Sequence, residues 1–179
     1  VPTDPEPAQP EASRARTVRL QAPRKTAPGN PPLLVLLHGF GANEKDLLPV
    51  AARLDPRLAV ASLRAPYQIR PGSYSWVNGN TADELDKARK VVIECIDQVA
   101  DSTGADRGRV YLAGFSQGAM LTLAIALTEP EKIAGAAGLS GRLAAAVRDN
   151  HAAPERLRGF PILGTNGTDD QQSPVRSAH

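Results

Sequence analysis

A chain of 179 residues, 41% apolar and 22% charged, has the size and composition of one soluble globular domain with a real hydrophobic core. Its formal net charge is only +2 and acidic residues are scattered among the basic ones, which gives no support to a basic nucleic-acid patch. No apolar run approaches a membrane span, no signal-peptide core is visible, and the single cysteine, Cys95, excludes an internal disulfide.

Residues 1–15 are rich in Pro, Glu and Ala without a periodic apolar face, and read as a disordered or extended lead-in. The chain opens on Val1 rather than Met, which suits a trimmed exported protein or a cytosolic one equally, so the compartment stays open. From residue 16 onward one domain is expected. Thr17-Val18-Arg19-Leu20 alternates like an edge strand, and Pro23 to Pro32 is a turn-rich connector. Leu33 to Leu37 is a continuous apolar run, suited to a central strand covered on both faces. It ends in His38-Gly39-Phe40-Gly41-Ala42-Asn43, where Asn43 is placed to cap a helix carrying Leu47, Leu48, Val50, Ala51 and Leu54. Leu58 to Leu63 is a second buried strand. The loop through Pro71 to Trp76 gathers Tyr74 and the only tryptophan, as a binding surface or as a packed lid.

Thr81 to Thr103 predicts a long amphipathic helix, with Leu85, Ala88, Val92, Cys95, Ile96 and Val99 on one face. Cys95 falls on that apolar face, as a structural thiol would. Strands are expected again at Arg109 to Ala113, Ile133 to Gly141 and Phe160 to Thr165, with an irregular or weakly helical stretch from Arg142 to Arg158. Strands alternating with helices imply a mostly parallel sheet flanked by helices.

The chemistry centres on Gly114-Phe115-Ser116-Gln117-Gly118. A β-branched apolar strand precedes it and an Ala/Leu/Met-rich helix follows. A serine at that junction sits on a strained strand-to-helix turn, the nucleophile elbow, with small residues required two positions before and after. The helix N-terminus beside it favours developing negative charge.

Four stretches carry a resemblance: Leu37-His38-Gly39-Phe40-Gly41, Arg64-Ala65-Pro66 with Trp76 after it, Gly114 to Gly118, and Gly167-Thr168-Asp169-Asp170 with Pro174. In this order the chain resembles the carboxylesterase/phospholipase family of α/β-hydrolases, which includes acyl-protein thioesterases and small bacterial esterases. The resemblance implies an α/β-hydrolase fold and Ser116 as nucleophile. It implies an oxyanion hole from the backbone N–H groups of Phe40 and Gln117, and Asp170 as the acid of the triad. Asp169 is the alternative acid, and either aspartate suits a solvated turn as well. His38 belongs to the oxyanion-loop signature rather than to the triad. Tyr74 and Trp76 are candidate walls of an apolar acyl pocket. One departure is Asn166, where the family carries histidine.

The triad order is Ser, Asp, His, yet only nine positions follow Asp170. His179 sits in what reads as the start of a helix, and His151 precedes the aspartate. The expected general-base histidine therefore lies beyond residue 179, in a C-terminal part that these residues do not include. The function implied is hydrolysis of small acyl esters of short to medium chain length, with lysophospholipids or thioesters as further candidates. The alternative is a catalytically silent domain of the same fold that binds a ligand or partner. No cofactor and no metal are implied, because no His/Cys/Asp cluster has ligand spacing. Relatives in the family often dimerise, so a homodimer belongs among the expectations, although nothing marks an interface.

Overall fold

A computed structural model describes residues 17–169. The lead-in expected over residues 1–15 lies outside the described residues, as do Asp170 and His179.

Six strands form one sheet: β1 (Val18–Gln21), β2 (Leu33–Leu37), β3 (Ala59–Leu63), β6 (Val110–Phe115), β7 (Gly135–Leu139) and β8 (Ile162–Thr165). Two more, β4 (Tyr67–Arg70) and β5 (Ser73–Ser75), make a separate antiparallel hairpin. The sheet order is β1-β3-β2-β6-β7-β8. Only β1 runs antiparallel, at the edge against β3. The helices are α1 (Leu48–Ala51), α2 (Ala82–Thr103), α3 (Gln117–Thr128), α4 (Ala145–Arg148) and α5 (Pro154–Leu157).

The central strand shows why this sequence makes this sheet. All five residues of β2 are buried, and they divide between two cores by the period of two. Leu33, Val35 and Leu37 join a large cluster with Val92, Ile96 and Val99 of α2 and Leu121 and Ile125 of α3. Leu34 and Leu36 join Val60 and Ala51 on the opposite face. Each such side chain taken from water contributes roughly 1.5–3 kcal/mol, as an upper bound against a compact unfolded chain. Toward β8 this second face is thinner, and Tyr111 and Leu163 remain exposed.

Helix α2 follows its sequence closely. Thr81 caps it by accepting a hydrogen bond from Glu84 N at 3.3 Å, and the Glu84 carboxylate accepts Asn78 N in return. Ala88, Val92, Cys95, Ile96, Val99 and Ala100 are buried, and Gly104 ends the helix in a left-handed conformation at φ 63°. Two local expectations are corrected. Asn43 does not cap a helix: its side chain closes a turn by accepting Lys45 N, and the helix that follows is the single turn α1. The loop expected through Pro71 to Trp76 is largely the turn and second strand of the β4–β5 hairpin, whose Tyr74 pairs with Ala42. Among the described residues no helix is long and apolar enough to cross a membrane.

The register brings the ends of the parallel strands together. Leu37 pairs with Leu63 and Gly114, Phe115 with Leu139, and Leu139 with Thr165. The loops beginning at His38, Arg64, Ser116, Ser140 and Asn166 therefore emerge along one edge, where open α/β sheets hold their ligands.

Candidate active site

Ser116 links β6 to α3 at φ 52° and ψ −112°, a conformation that costs a side-chain-bearing residue about 1–3 kcal/mol. Its N–H is held by Leu139 O at 2.9 Å, and its carbonyl accepts Met120 N at 3.0 Å to start the helix. The flanking glycines make the turn sterically possible. A Cβ on Gly114 would fall 2.2 Å from Gly118 O, and one on Gly118 would fall 2.1 Å from Leu37 O. The hydroxyl does not cap the helix and the residue is only half-buried, so Oγ remains available.

The loop after β2 lies against this turn. A Cβ built on Gly39 would sit 3.4 Å from the Ser116 Cβ. Phe40 follows with its ring exposed. Among the described residues neither Phe40 N–H nor Gln117 N–H has a hydrogen-bond partner, the latter being one of the free donors at the start of α3.

The side chain of Gln117 is fixed elsewhere. Its Oε1 accepts Trp76 N at 2.8 Å and its Nε2 donates to Ser75 Oγ at 3.1 Å. Trp76 Nε1 in turn donates to His38 O at 2.8 Å. Gly41 N donates to Tyr74 O, Tyr74 N to Ala42 O, and Ser73 Oγ to Gly41 O, all within 3.0 Å. The hairpin is thus laced to both the loop after β2 and the turn at Ser116.

These contacts correct the expectation for Trp76 as a pocket wall. Trp76 is 1% exposed and belongs to the core, so its indole offers no surface to a ligand. The Tyr74 ring is half-buried beneath the Arg64 guanidinium, 4.8 Å from its centroid.

His38 is buried with both ring nitrogens engaged. Nε2 accepts Ala65 N at 3.1 Å, which leaves Nδ1 as the protonated nitrogen, donating to Gly39 O at 2.7 Å. Burial holds its pKa below the usual 6.5, outweighing the opposing pull of the Gly39 carbonyl and of Asp46 and Glu44. A histidine kept neutral in the fold opposes protonation that the unfolded chain accepts freely. Its contribution is complete above about pH 6.5 and is lost as pH falls from there toward its depressed folded value. Urea midpoints measured between pH 7.5 and 5 should fall in the native protein, with a shallower fall in His38→Gln.

Sequence reasoning missed one charged cluster. Glu44 is fully buried, and Arg64 grips both its oxygens, Nε to Oε2 at 2.6 Å and NH2 to Oε1 at 2.7 Å. Arg19 approaches at 3.7 Å. The Arg64 hydrogen bonds pull the Glu44 pKa down to about 2, overriding the opposing cost of burial. The signal that could have exposed it was the pairing of a lone acid after the glycine loop with the arginine that leaves β3.

Asp169 is exposed in the turn after β8, and Asp170, the preferred acid, lies outside the described residues. His151 is exposed, with Nδ1 against Ala152 O at 2.8 Å. Among the described residues no group of three or more His, Cys, Asp or Glu side chains is arranged to hold a metal.

Over residues 21–179 the sequence matches the family model described as phospholipase/carboxylesterase. The chain belongs to that family. Carboxylesterase SOBER1 of Arabidopsis thaliana is 38% identical over 96 residues, 52% of this chain and 41% of the relative. Acyl-protein thioesterase 1 of Eremothecium gossypii is 28% identical over 163 residues, covering 80% of this chain and 68% of its own. The crystal structure of esterase PE8 superposes with a TM-score of 0.73 at 24% identity, over 91% of this chain and 80% of that one, a likeness of fold. The first curated relatives of this phospholipase/carboxylesterase chain are matched over about half their length. Its architecture is that of the α/β-hydrolases, with a mostly parallel sheet and helices.

Proposed function

We propose that the chain belongs to a serine carboxylesterase that works through an acyl-enzyme on Ser116. The observation that supports this best is the Ser116 backbone, held at φ 52°, with the N–H groups of Phe40 and Gln117 unpartnered among the described residues. A binding domain gains nothing from such a turn. Ser116 Oγ adds to the carbonyl carbon of an acyl ester while its proton passes to a histidine base outside the described residues. Asp170 orients that base. The carbonyl oxygen becomes an oxyanion that Phe40 N–H and Gln117 N–H receive. Loss of one such donor costs a typical site about 3 kcal/mol. Collapse expels the alcohol, which takes the proton from the base, and water then releases the acid from the acyl-enzyme. The names of the relatives, carboxylesterase and acyl-protein thioesterase, fit oxygen esters or thioesters. Short to medium acyl chains are our reading, with lysophospholipid as a further candidate.

A fluorophosphonate probe tests the proposal on the intact protein. One adduct is expected on Ser116, absent from Ser116→Ala and accompanied by loss of ester hydrolysis. An intact protein that takes no label and hydrolyses no acyl ester would instead be a silent binding domain.

A further inference from the structure

One turn of α3 beyond Ser116 lies a cavity of about 590 Å³, within the size range of small-ligand sites. Val77, Leu85, Met120 and Leu143 give it apolar walls, and among the described residues its charged lining is Arg142 and Arg148. The adjoining cavity has the opposite character, lined by Asp83, Asp86 and Glu129 around Arg89. Among the described residues neither Arg142 nor Arg148 has an ion-pair partner, whereas Arg64, Arg89, Arg107, Arg109 and Arg156 each hold a carboxylate.

The cavity is tied to the elbow on two sides. Met120 N–H bonds the Ser116 carbonyl, and Val77 follows the Trp76 whose N–H holds Gln117. Arg142 also grows from a clamped root. Ser140 is held at φ 49° with its N–H on Thr165 O at 2.7 Å. The next carbonyl, Gly141 O, accepts Asn166 Nδ2 at 3.1 Å. Gly141 lies so close to α3 that a Cβ there would fall 2.4 Å from the Ala119 Cβ. A strained non-glycine residue persists where its surroundings over-determine it, and here it fixes where the guanidinium leaves the backbone.

We propose that this cavity is an anion subsite, and that the preferred substrates are acidic esters. Resting on the reading of Ser116 as nucleophile, the subsite takes a carboxylate or phosphate joined to the scissile ester by a short apolar chain. The chain lies against Leu85, Met120 and Leu143, and the anion meets two guanidinium groups whose planar forks suit either oxyanion. Met120, on the cavity wall, lies one helical turn of about 5.4 Å along α3 from Ser116, a rise that a few methylenes cover.

The test compares the para-nitrophenyl half-ester of adipate with para-nitrophenyl hexanoate on the intact protein. The native protein should favour the acidic ester by about tenfold in kcat/KM at low salt, with the advantage shrinking as salt rises. The exposed pair Arg142→Gln/Arg148→Gln should abolish the preference through KM and leave the neutral ester within about twofold. A preference unchanged by the double substitution, or a native preference for the neutral ester, overturns the proposal. The para-nitrophenyl ester of 5-phosphonopentanoate against para-nitrophenyl hexanoate forms a second arm: preference there alone assigns the pair to phosphate-type anions, and preference in both arms to oxyanions generally. If no ester is hydrolysed the nucleophile reading fails on its own. Calorimetry with adipate still reads the subsite, binding by the native protein supporting it and no heat overturning it.

Discussion

Gly118→Ala is expected to destabilise the protein by about 3 kcal/mol or more, a large share of the roughly 5–15 kcal/mol that holds a domain of this kind. The added methyl would lie 2.1 Å from Leu37 O, 2.6 Å from Leu37 C and 2.7 Å from His38 O. All three are backbone atoms of the central strand and of the loop that follows it, so no side chain can swing away. Relief requires α3 to withdraw from β2, which separates the elbow from the loop that carries Phe40. Stability and fluorophosphonate labelling should therefore fall together. Gly164→Ala is the control, because a Cβ there meets nothing within 4 Å and the residue has no positive φ. Urea midpoints decide the matter: a Gly118→Ala midpoint equal to that of Gly164→Ala would show that the helix is free to shift.

The same close approach explains why so much was legible in advance. A glycine on each side of a serine, between a β-branched strand and an Ala/Leu helix, has few other structural solutions. The resulting strained turn appears at Ser116, at φ 52°. Strand β2 was readable because five consecutive apolar residues require burial on both faces, and α2 because its apolar positions recur at 3.6 and its ends carry Thr81 and Gly104. What stayed illegible depends on contacts distant in sequence. Trp76 read as a wall because aromatic loop residues often meet ligands, but its N–H reaches back 38 positions to His38 O and draws the ring into the core. The short helix near Asn43 failed for a similar reason. There the Asn43 side chain is committed to a turn and to the hairpin, accepting Lys45 N and donating to Gly72 O, a partner distant in sequence that no local pattern announces.

Removing the buried acid is expected to have the next largest effect. Glu44→Ala leaves the Arg64 guanidinium facing a space built for a carboxylate, and truncating one member of a buried pair costs about 3–5 kcal/mol. Arg64 keeps some solvent contact and its stack on Tyr74, so the lower end of that range is expected. Replacing both members, as in Glu44→Met/Arg64→Met, removes the stranded charge and should recover part of the loss; a double variant no better than Glu44→Ala would contradict the pair as the cause. The acid titration gives an independent reading. With its folded pKa drawn down from 4.5 to about 2, Glu44 contributes stability that is complete above about pH 4.5 and disappears as pH falls through 2. The shift corresponds to about 3 kcal/mol. Denaturant titrations from pH 6 to pH 2 should show this loss in the native protein and a flatter course in Glu44→Gln. Its consequence for chemistry follows from position. Glu44 sits four residues past Phe40, and Arg64 sits beside the Ala65 N–H that holds His38. Loosening the pair releases the loop at both ends, so under the proposed role of Phe40 N–H as oxyanion donor kcat should fall by about tenfold to a hundredfold with KM nearly unchanged. A KM rise at constant kcat would place the pair in ground-state binding instead.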